Sequence, residues 1–260
     1  MRIATWNING VKARLDTLLA WLGEGTADVV ALQEIKSLDE NFPRQVIEDM
    51  GYAVETHGQK GFNGVALLSK RPLEDVRRGL PGDDEDTQAR WIEATVSGEG
   101  AAVRICGLYL PNGNPAPGPK FDYKHAWMAR LEAHAAALLA EEMPLVLAGD
   151  YNVIPEPRDA ARPQAWVDDA LYRPESREAW RRLLHLGFHD GLREVSQESG
   201  HYTFWDYQRG AWERDDGIRI DHLALSPQAA DRLRGAGIER NQRGSEKPSD
   251  HVPVWVDLDL

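Results

Sequence analysis

Glu34, Asp150, Asp221 and Asp250 each stand where an apolar run meets polar residues, and that placement is the most direct sign of chemistry in the chain. Residues 2–6 run into Asn7, residues 28–33 into Glu34, residues 103–108 into Tyr109, and residues 144–149 into Asp150, with Asn152 close behind. Arg219-Ile220 leads to Asp221 ahead of the apolar residues 222–225, and Lys247-Pro248-Ser249 leads to Asp250-His251 ahead of residues 252–256. If these runs are strands of one sandwich, their ends can share a rim that holds carboxylates, amides, a phenol and an imidazole. Hard oxygen donors of this kind suit Mg²⁺ or Mn²⁺. Carboxylates gathered around a lone His suit metal-assisted phosphoester hydrolysis. Taken singly, an acid at a strand end is more often a turn or cap residue, Asn7 and Asn9 can serve a turn, and His251 beside Asp250 can be a surface pair. The set is much less expected by chance than any of its members.

The elements that must position these groups are legible from periodicity. Leu15, Leu18, Leu19 and Leu22 recur at helical spacing after Val11, and Gly23 and Gly25 stop that helix. Residues 120–142 have the spacing of a long helix carrying Trp127, Leu131, Ala135, Leu138 and Leu139, ended by Met143-Pro144. Residues 175–186 carry Trp180, Leu183, Leu184 and Leu186 before Gly187, and residues 91–110 read as strand–turn–strand. Mixed strands with outer helices predict an α/β protein in which two sheets pack face to face under helices. A doubly wound parallel sheet is disfavoured, because no Gly-rich nucleotide loop follows the first strand. Thr5-Trp6-Asn7-Ile8-Asn9 and Gly149-Asp150-Tyr151-Asn152-Val153 echo each other, which hints at two related halves facing each other. No linker separates domains, so residues 1–260 are expected to form one domain.

Composition narrows the class. The chain has 260 residues, 42% of them hydrophobic, with nine Trp, enough for a substantial core. The single Cys, Cys106, excludes an intrachain disulfide and a Cys-cluster zinc site, and its apolar setting predicts a buried, inert thiol. No stretch reaches the roughly 20 apolar residues of a membrane span, so a soluble cytoplasmic protein with no membrane partner is expected. The net charge of −12 argues against a polyanionic partner. That inference is weak, because Asp83-Asp84-Glu85-Asp86 reads as a solvated loop and bound cations would offset the rim carboxylates.

The motifs Trp6-Asn7-Ile8-Asn9-Gly10, Leu32-Gln33-Glu34-Ile35-Lys36, Asn63-Gly64-Val65-Ala66-Leu67-Leu68-Ser69, Gly149-Asp150-Tyr151-Asn152, Arg219-Ile220-Asp221-His222 and Lys247-Pro248-Ser249-Asp250-His251 follow one another in order. With them the chain resembles, over essentially its full length, the exonuclease III family of AP endonucleases within the endonuclease/exonuclease/phosphatase superfamily. The resemblance implies a four-layered αββα sandwich with the site at one end of two mixed sheets. It implies Glu34 as principal ligand of Mg²⁺ or Mn²⁺, Asn7 setting the metal or its neighbours, and Asp250 as a further ligand of the metal or its water. It implies that Asp150 and Asn152 position and deprotonate the attacking water and that Asp221 holds His251. His251 is left as either a phosphate contact or the base. Tyr109 would donate to the phosphate or stabilise the leaving oxygen, and Lys36, Arg90 and Asn112 would lie near phosphates. Asn9 stands where some relatives carry Asp, which implies a weaker outer metal contact.

The resemblance also assigns a wall for an abasic sugar to Phe204, Trp205 and Ile218. Phe204 and Trp205 are adjacent, so on a strand at most one of them lines a pocket directly. Ile218 stands where some relatives have Trp, so the wall there is expected to be smaller. The implied activity is DNA repair: hydrolysis 5′ to an abasic site in duplex DNA, with 3′-5′ exonuclease trimming of 3′ ends, by a monomer. A phosphatase or phosphodiesterase of the same superfamily, acting on a small phosphate ester, lipid headgroup or RNA, is the competing reading. A non-catalytic nucleic-acid binder is disfavoured by retention of every candidate catalytic group.

Overall fold

The computed structural model describes residues 1–260. Its strands are β1 (Arg2–Asn7), β2 (Val29–Gln33), β3 (Ala53–His57), β4 (Val65–Ser69), β5 (Glu74–Arg78), β6 (Trp91–Ser97), β7 (Ala102–Tyr109), β8 (Leu145–Asp150), β9 (His189–Asp190), β10 (Asp221–Leu225), β11 (Leu233–Ile238) and β12 (Val254–Leu258). Its helices are α1 (Leu15–Gly23), α2 (Arg44–Glu48), α3 (Pro119–Leu139), α4 (Pro174–His185), α5 (Gly191–Val195) and α6 (Pro227–Ala230). The long helix ends earlier than the expected residue 142. The chain turns through Glu142, at φ 56°, before Pro144 forces it extended into β8.

One six-stranded sheet has the order β11-β12-β1-β2-β4-β3 and the other β5-β6-β7-β8-β10-β9. Both are mixed. β1 is parallel to β2 and antiparallel to β12, and β8 is parallel to β7 and antiparallel to β10. The two sheets therefore repeat one pairing pattern about β1 and β8, the strands that carry the echoed motifs.

The apolar runs lack a polar face because their strands are covered on both sides. Ile3, Val29, Ala31 and Leu67 of the first sheet meet Ile105, Val146, Ala148 and Leu223 of the second in the central layer. The alternate residues Ala4, Trp6, Val30 and Leu32 pack under Leu18, Trp21 and Leu22 of α1. On the other side Cys106, Leu108 and Leu147 pack under Trp127 and Leu131 of α3 and Trp180 and Leu183 of α4. The architecture is the αββα sandwich. Each fully buried aliphatic side chain contributes about 1.5–3 kcal/mol, enough to tolerate polar groups on a rim. Cys106 is fully buried, and burial followed by the charge of Glu93 pushes its thiol well up. Of the acidic run, Asp83, Asp84 and Glu85 are exposed. Asp86 is not simply solvated: it accepts from Arg130 at 2.7 Å and Tyr123 at 3.0 Å.

Candidate active site

Register brings the strand ends together. Asp150 closes β8, with Tyr109 of β7 opposite it on one side and Asp221 of β10 on the other. Asn7 closes β1 on the facing sheet, and Glu34 directly follows β2. Glu34, Lys36 and Asn152 adopt φ of 48°, 51° and 47°. This left-handed backbone is uncommon for residues other than glycine and is often retained at functional sites.

Asn7 links the two sheets. Its amide nitrogen donates to Glu34 Oε1 and to Asp150 Oδ2, both at 2.9 Å. Tyr109 donates to the same Glu34 oxygen at 3.0 Å, and Lys36 Nζ lies 2.8 Å from Glu34 Oε2. Burial pushes the Glu34 carboxyl up, but Lys36 and Asn7 hold it below its ordinary range. Lys36 also donates to Asn9 Oδ1 at 2.6 Å, and Asn9 donates to Asp250 Oδ1 at 3.0 Å. The Asn152 amide N–H donates to Asp150 Oδ1 at 2.9 Å, while its side chain donates to Leu110 O at 2.8 Å and accepts from Asn112 at 3.2 Å.

Asp150 and His251 are driven apart in protonation. Burial and the charge of Asp221 raise the Asp150 carboxyl to about 7 against the pull of His251. Burial lowers the imidazole, yet Asp221 and Asp150 together raise it to about 10. His251 Nδ1 lies 2.8 Å from Asp221 Oδ2 and its Nε2 3.8 Å from Asp150 Oδ2. Thr203 also donates to Asp221 Oδ2, at 2.6 Å, fixing the carboxylate that fixes the imidazole. Tyr109 stays a phenol, because burial, then Glu34 and Asp150, push it well above 10.

These groups line a cleft of about 390 Å³ that includes Glu34, Tyr109, Asn112, Asp150, Asn152, Phe204, Asp250 and His251. Arg90 stands one layer back, its guanidinium 4.8 Å from the Tyr109 ring centroid. Lys36 reaches the site through Glu34 and Asn9. Two residues assigned to the sugar wall do not reach it. Trp205 is fully buried and donates to Asp215 at 3.0 Å, with its ring 5.0 Å from that of Trp212. Of the adjacent pair only Phe204 lines the cleft, its ring meeting His251 edge-on at 5.0 Å. Ile218 is 1% exposed and sits in the apolar cluster against which Phe204 and Trp166 pack. Ile220, Leu171 and Trp166 line the cleft instead. Phe204 and Ile218 pair only through isolated bridges, so no regular strand phase marked which side chains face inward.

Lys124 was missed as well, though it left a signal: a lysine on the α3 stripe between Phe121 and Met128. It is fully buried and donates to the carbonyls of Asn152 at 2.6 Å, Asn112 at 3.1 Å and Ala170 at 3.4 Å. Burial lowers its ammonium to about 7, opposed by Asp150 and Asp169. Gly113, at φ 91°, lets the stem pass, since a Cβ there would come within 2.7 Å of Lys124 Cδ. Lys124→Met is expected to lower stability by about 3 kcal/mol, through stranded buried carbonyls. It should also slow turnover about tenfold, as Asn112 and Asn152 drift. Thermal unfolding and steady-state kinetics check both, and an unchanged Tm would contradict the tethering role.

The Endonuclease/Exonuclease/phosphatase family matches residues 4–251, and the chain belongs to it. It is 35% identical to Exodeoxyribonuclease III of Haemophilus influenzae, over 99% of this chain and 100% of that one. An AP endonuclease from Archaeoglobus fulgidus superposes with a TM-score of 0.94 at 34% identity, each chain fully covered. A 3′ phosphatase from Neisseria bound to product DNA hairpin superposes with a TM-score of 0.95 at 36% identity, again with full coverage of both.

Proposed function

We propose that this protein is a divalent-metal-dependent DNA-repair nuclease that hydrolyses the phosphodiester 5′ to an abasic site and trims 3′ ends of duplex DNA, as a one-domain cytoplasmic monomer. No helix is long and apolar enough to cross a membrane. The observation that carries the reading is the geometry of the rim: His251 Nδ1 lies 2.8 Å from Asp221 Oδ2 and its Nε2 3.8 Å from Asp150 Oδ2, in a cleft that Glu34, Tyr109, Asn152 and Asp250 also line. At neutral pH, Asp150 can accept a proton and His251 is a cation. This supports Asp150 as base and His251 as phosphate contact.

The donor set fits a hard cation. Glu34 and Asp250 both face the cleft, and Asp250 Oδ2 makes no hydrogen bond within the protein, its Oδ1 taking Asn9 at 3.0 Å. Asp150, Asp221 and His251 also lie close enough to hold an ion, with ligand atoms within 4.8 Å of one another. Glu34 and Asp250 would hold the cation, with Asn7 setting Glu34. Mg²⁺ or Mn²⁺ held there would neutralise charge on the reacting phosphate. The remaining work falls to the chain. Asp150, steadied by the Asn152 N–H, takes a proton from water as its oxygen bonds to phosphorus. The P–O3′ bond breaks, His251 offsets charge on the phosphate, and the departing oxygen, hydrogen-bonded by Tyr109, takes a proton from water to become the 3′ hydroxyl while Asp150 returns its proton to solvent.

An abasic duplex is expected to be incised about 100-fold faster than the same undamaged duplex, because extruding an intact nucleotide costs a few kcal/mol. Affinity should fall with salt, as phosphate contacts dominate. Rates on both duplexes, with and without Mg²⁺ or Mn²⁺, check this. Rapid hydrolysis of a small phosphate ester with no action on either duplex would replace the reading by that of a superfamily phosphatase.

A further inference from the structure

The cleft does not end at Phe204. A second cavity of about 350 Å³ opens beyond it and shares Trp166, Asp169, Phe204 and Asp206 with the catalytic cleft. Trp166 closes the short turn Pro163–Trp166 and is half-buried against the apolar cluster of Ile154, Leu171 and Ile220. The far wall is ordered by Asp216, which pairs with Arg162 (Nε to Oδ1 2.8 Å) and lies 3.7 Å from Arg214. The lining is balanced in charge: Arg162, Arg209 and Arg214 against Asp169, Asp206 and Asp216. A bare phosphate would find no net attraction there. A flat, neutral heterocycle with donors and acceptors on its edge would find the Trp166 and Phe204 side chains and paired polar groups.

Incision at an abasic site, release of a 3′-terminal nucleotide and removal of a 3′ phosphate all break the same P–O3′ bond. They differ in what the phosphate carries on its other side: a sugar without a base, a nucleoside, or nothing. Water adds to phosphorus, the 3′ oxygen leaves as a hydroxyl, and the released group departs as its phosphate ester or as phosphate. Discrimination among the three therefore depends on space beside the phosphate, away from the leaving oxygen.

We propose that the second cavity is a nucleobase subsite with Trp166 as its stacking platform, so that a nucleotide still bearing its base is held for release from a 3′ end. The proposal rests on the nuclease reading above and names the substrate feature that this part of the site recognises.

The test compares wild type, Trp166→Ala and Trp166→Phe, with Mg²⁺, on duplexes ending in a 3′ nucleotide or a 3′ phosphate. Trp166→Ala is expected to lower kcat/KM for nucleotide release about tenfold or more, since stacking on an aromatic side chain carries that much binding. Phosphate removal should fall by less than nucleotide release, circular dichroism should show that the variant is folded, and Trp166→Phe should restore most of the nucleotide release. Equal losses on both substrates, or no loss on the nucleotide, would overturn the subsite. So would a wild type that removes 3′ phosphate but no base-bearing nucleotide, with the nuclease reading left standing. A wild type inactive on all DNA would overturn both.

Discussion

Glu34→Ala is expected to lower kcat by about three orders of magnitude while leaving the fold in place. Glu34 gathers an Asn7 amide, the Tyr109 hydroxyl and the Lys36 ammonium at 2.9, 3.0 and 2.8 Å. Truncation leaves those donors aimed at an empty centre and removes the carboxylate proposed to hold the cation. The cost to stability should be small, about 1 kcal/mol, because the side chain is on a rim and 19% exposed. Its sign follows from the lowered carboxyl. The stabilisation is present above the ordinary value of 4.5 and fades as pH falls through the lower folded value, so wild type and variant should converge in Tm in acid. Turnover across a Mg²⁺ titration, with thermal unfolding at neutral and acid pH, checks the assignment. Near-wild-type turnover at ordinary metal concentration would sink it.

His251→Asn and Asp221→Asn should each slow turnover by about two to three orders of magnitude, and the double variant by little more than either. The 2.8 Å contact between Nδ1 and Oδ2 fixes the ring, and the same carboxylate keeps it charged. Wild-type kcat/KM should rise through about 7 as Asp150 ionises and fall through about 10 as His251 loses its proton. In Asp221→Asn the burial that lowers the imidazole remains while its largest support is gone. The alkaline limb should therefore move to lower pH. Stabilisation by the pair is complete below the ordinary 6.5 and is lost as pH rises through about 10, so Tm should decline over that window in wild type. Additive losses, or an alkaline limb that stays in place, would mean that the two residues do not act as a unit.

What could be read before the structure follows from how much each residue type reveals by position. Asp150 and Asn7 were legible because a strand buried on both faces is apolar until its end, so the first polar residue marks the rim. The facing halves were legible in the echo around those residues, and β1 and β8 do hold equivalent places in the two sheets. Periodicity also located α1, α3 and α4 to within a turn. Phe204 does line the cleft, as one of two adjacent aromatics was expected to, but Trp205 and Ile218 do not, and isolated bridges gave no regular strand phase to tell them apart. Trp166 sits in a short turn outside any strand, with no pattern to say what it faces. Lys124 could have been found, since an ammonium on an apolar stripe must be satisfied by something buried.

The most direct test of the account is cleavage of a duplex bearing one abasic site, in water carrying a heavy oxygen isotope, with Mg²⁺ present and the product ends identified. Hydrolysis at phosphorus with loss of the 3′ oxygen predicts a free 3′ hydroxyl, a 5′ sugar phosphate, and the heavy oxygen in that phosphate. A 3′ unsaturated aldehyde, or a product phosphate free of the isotope, would contradict it.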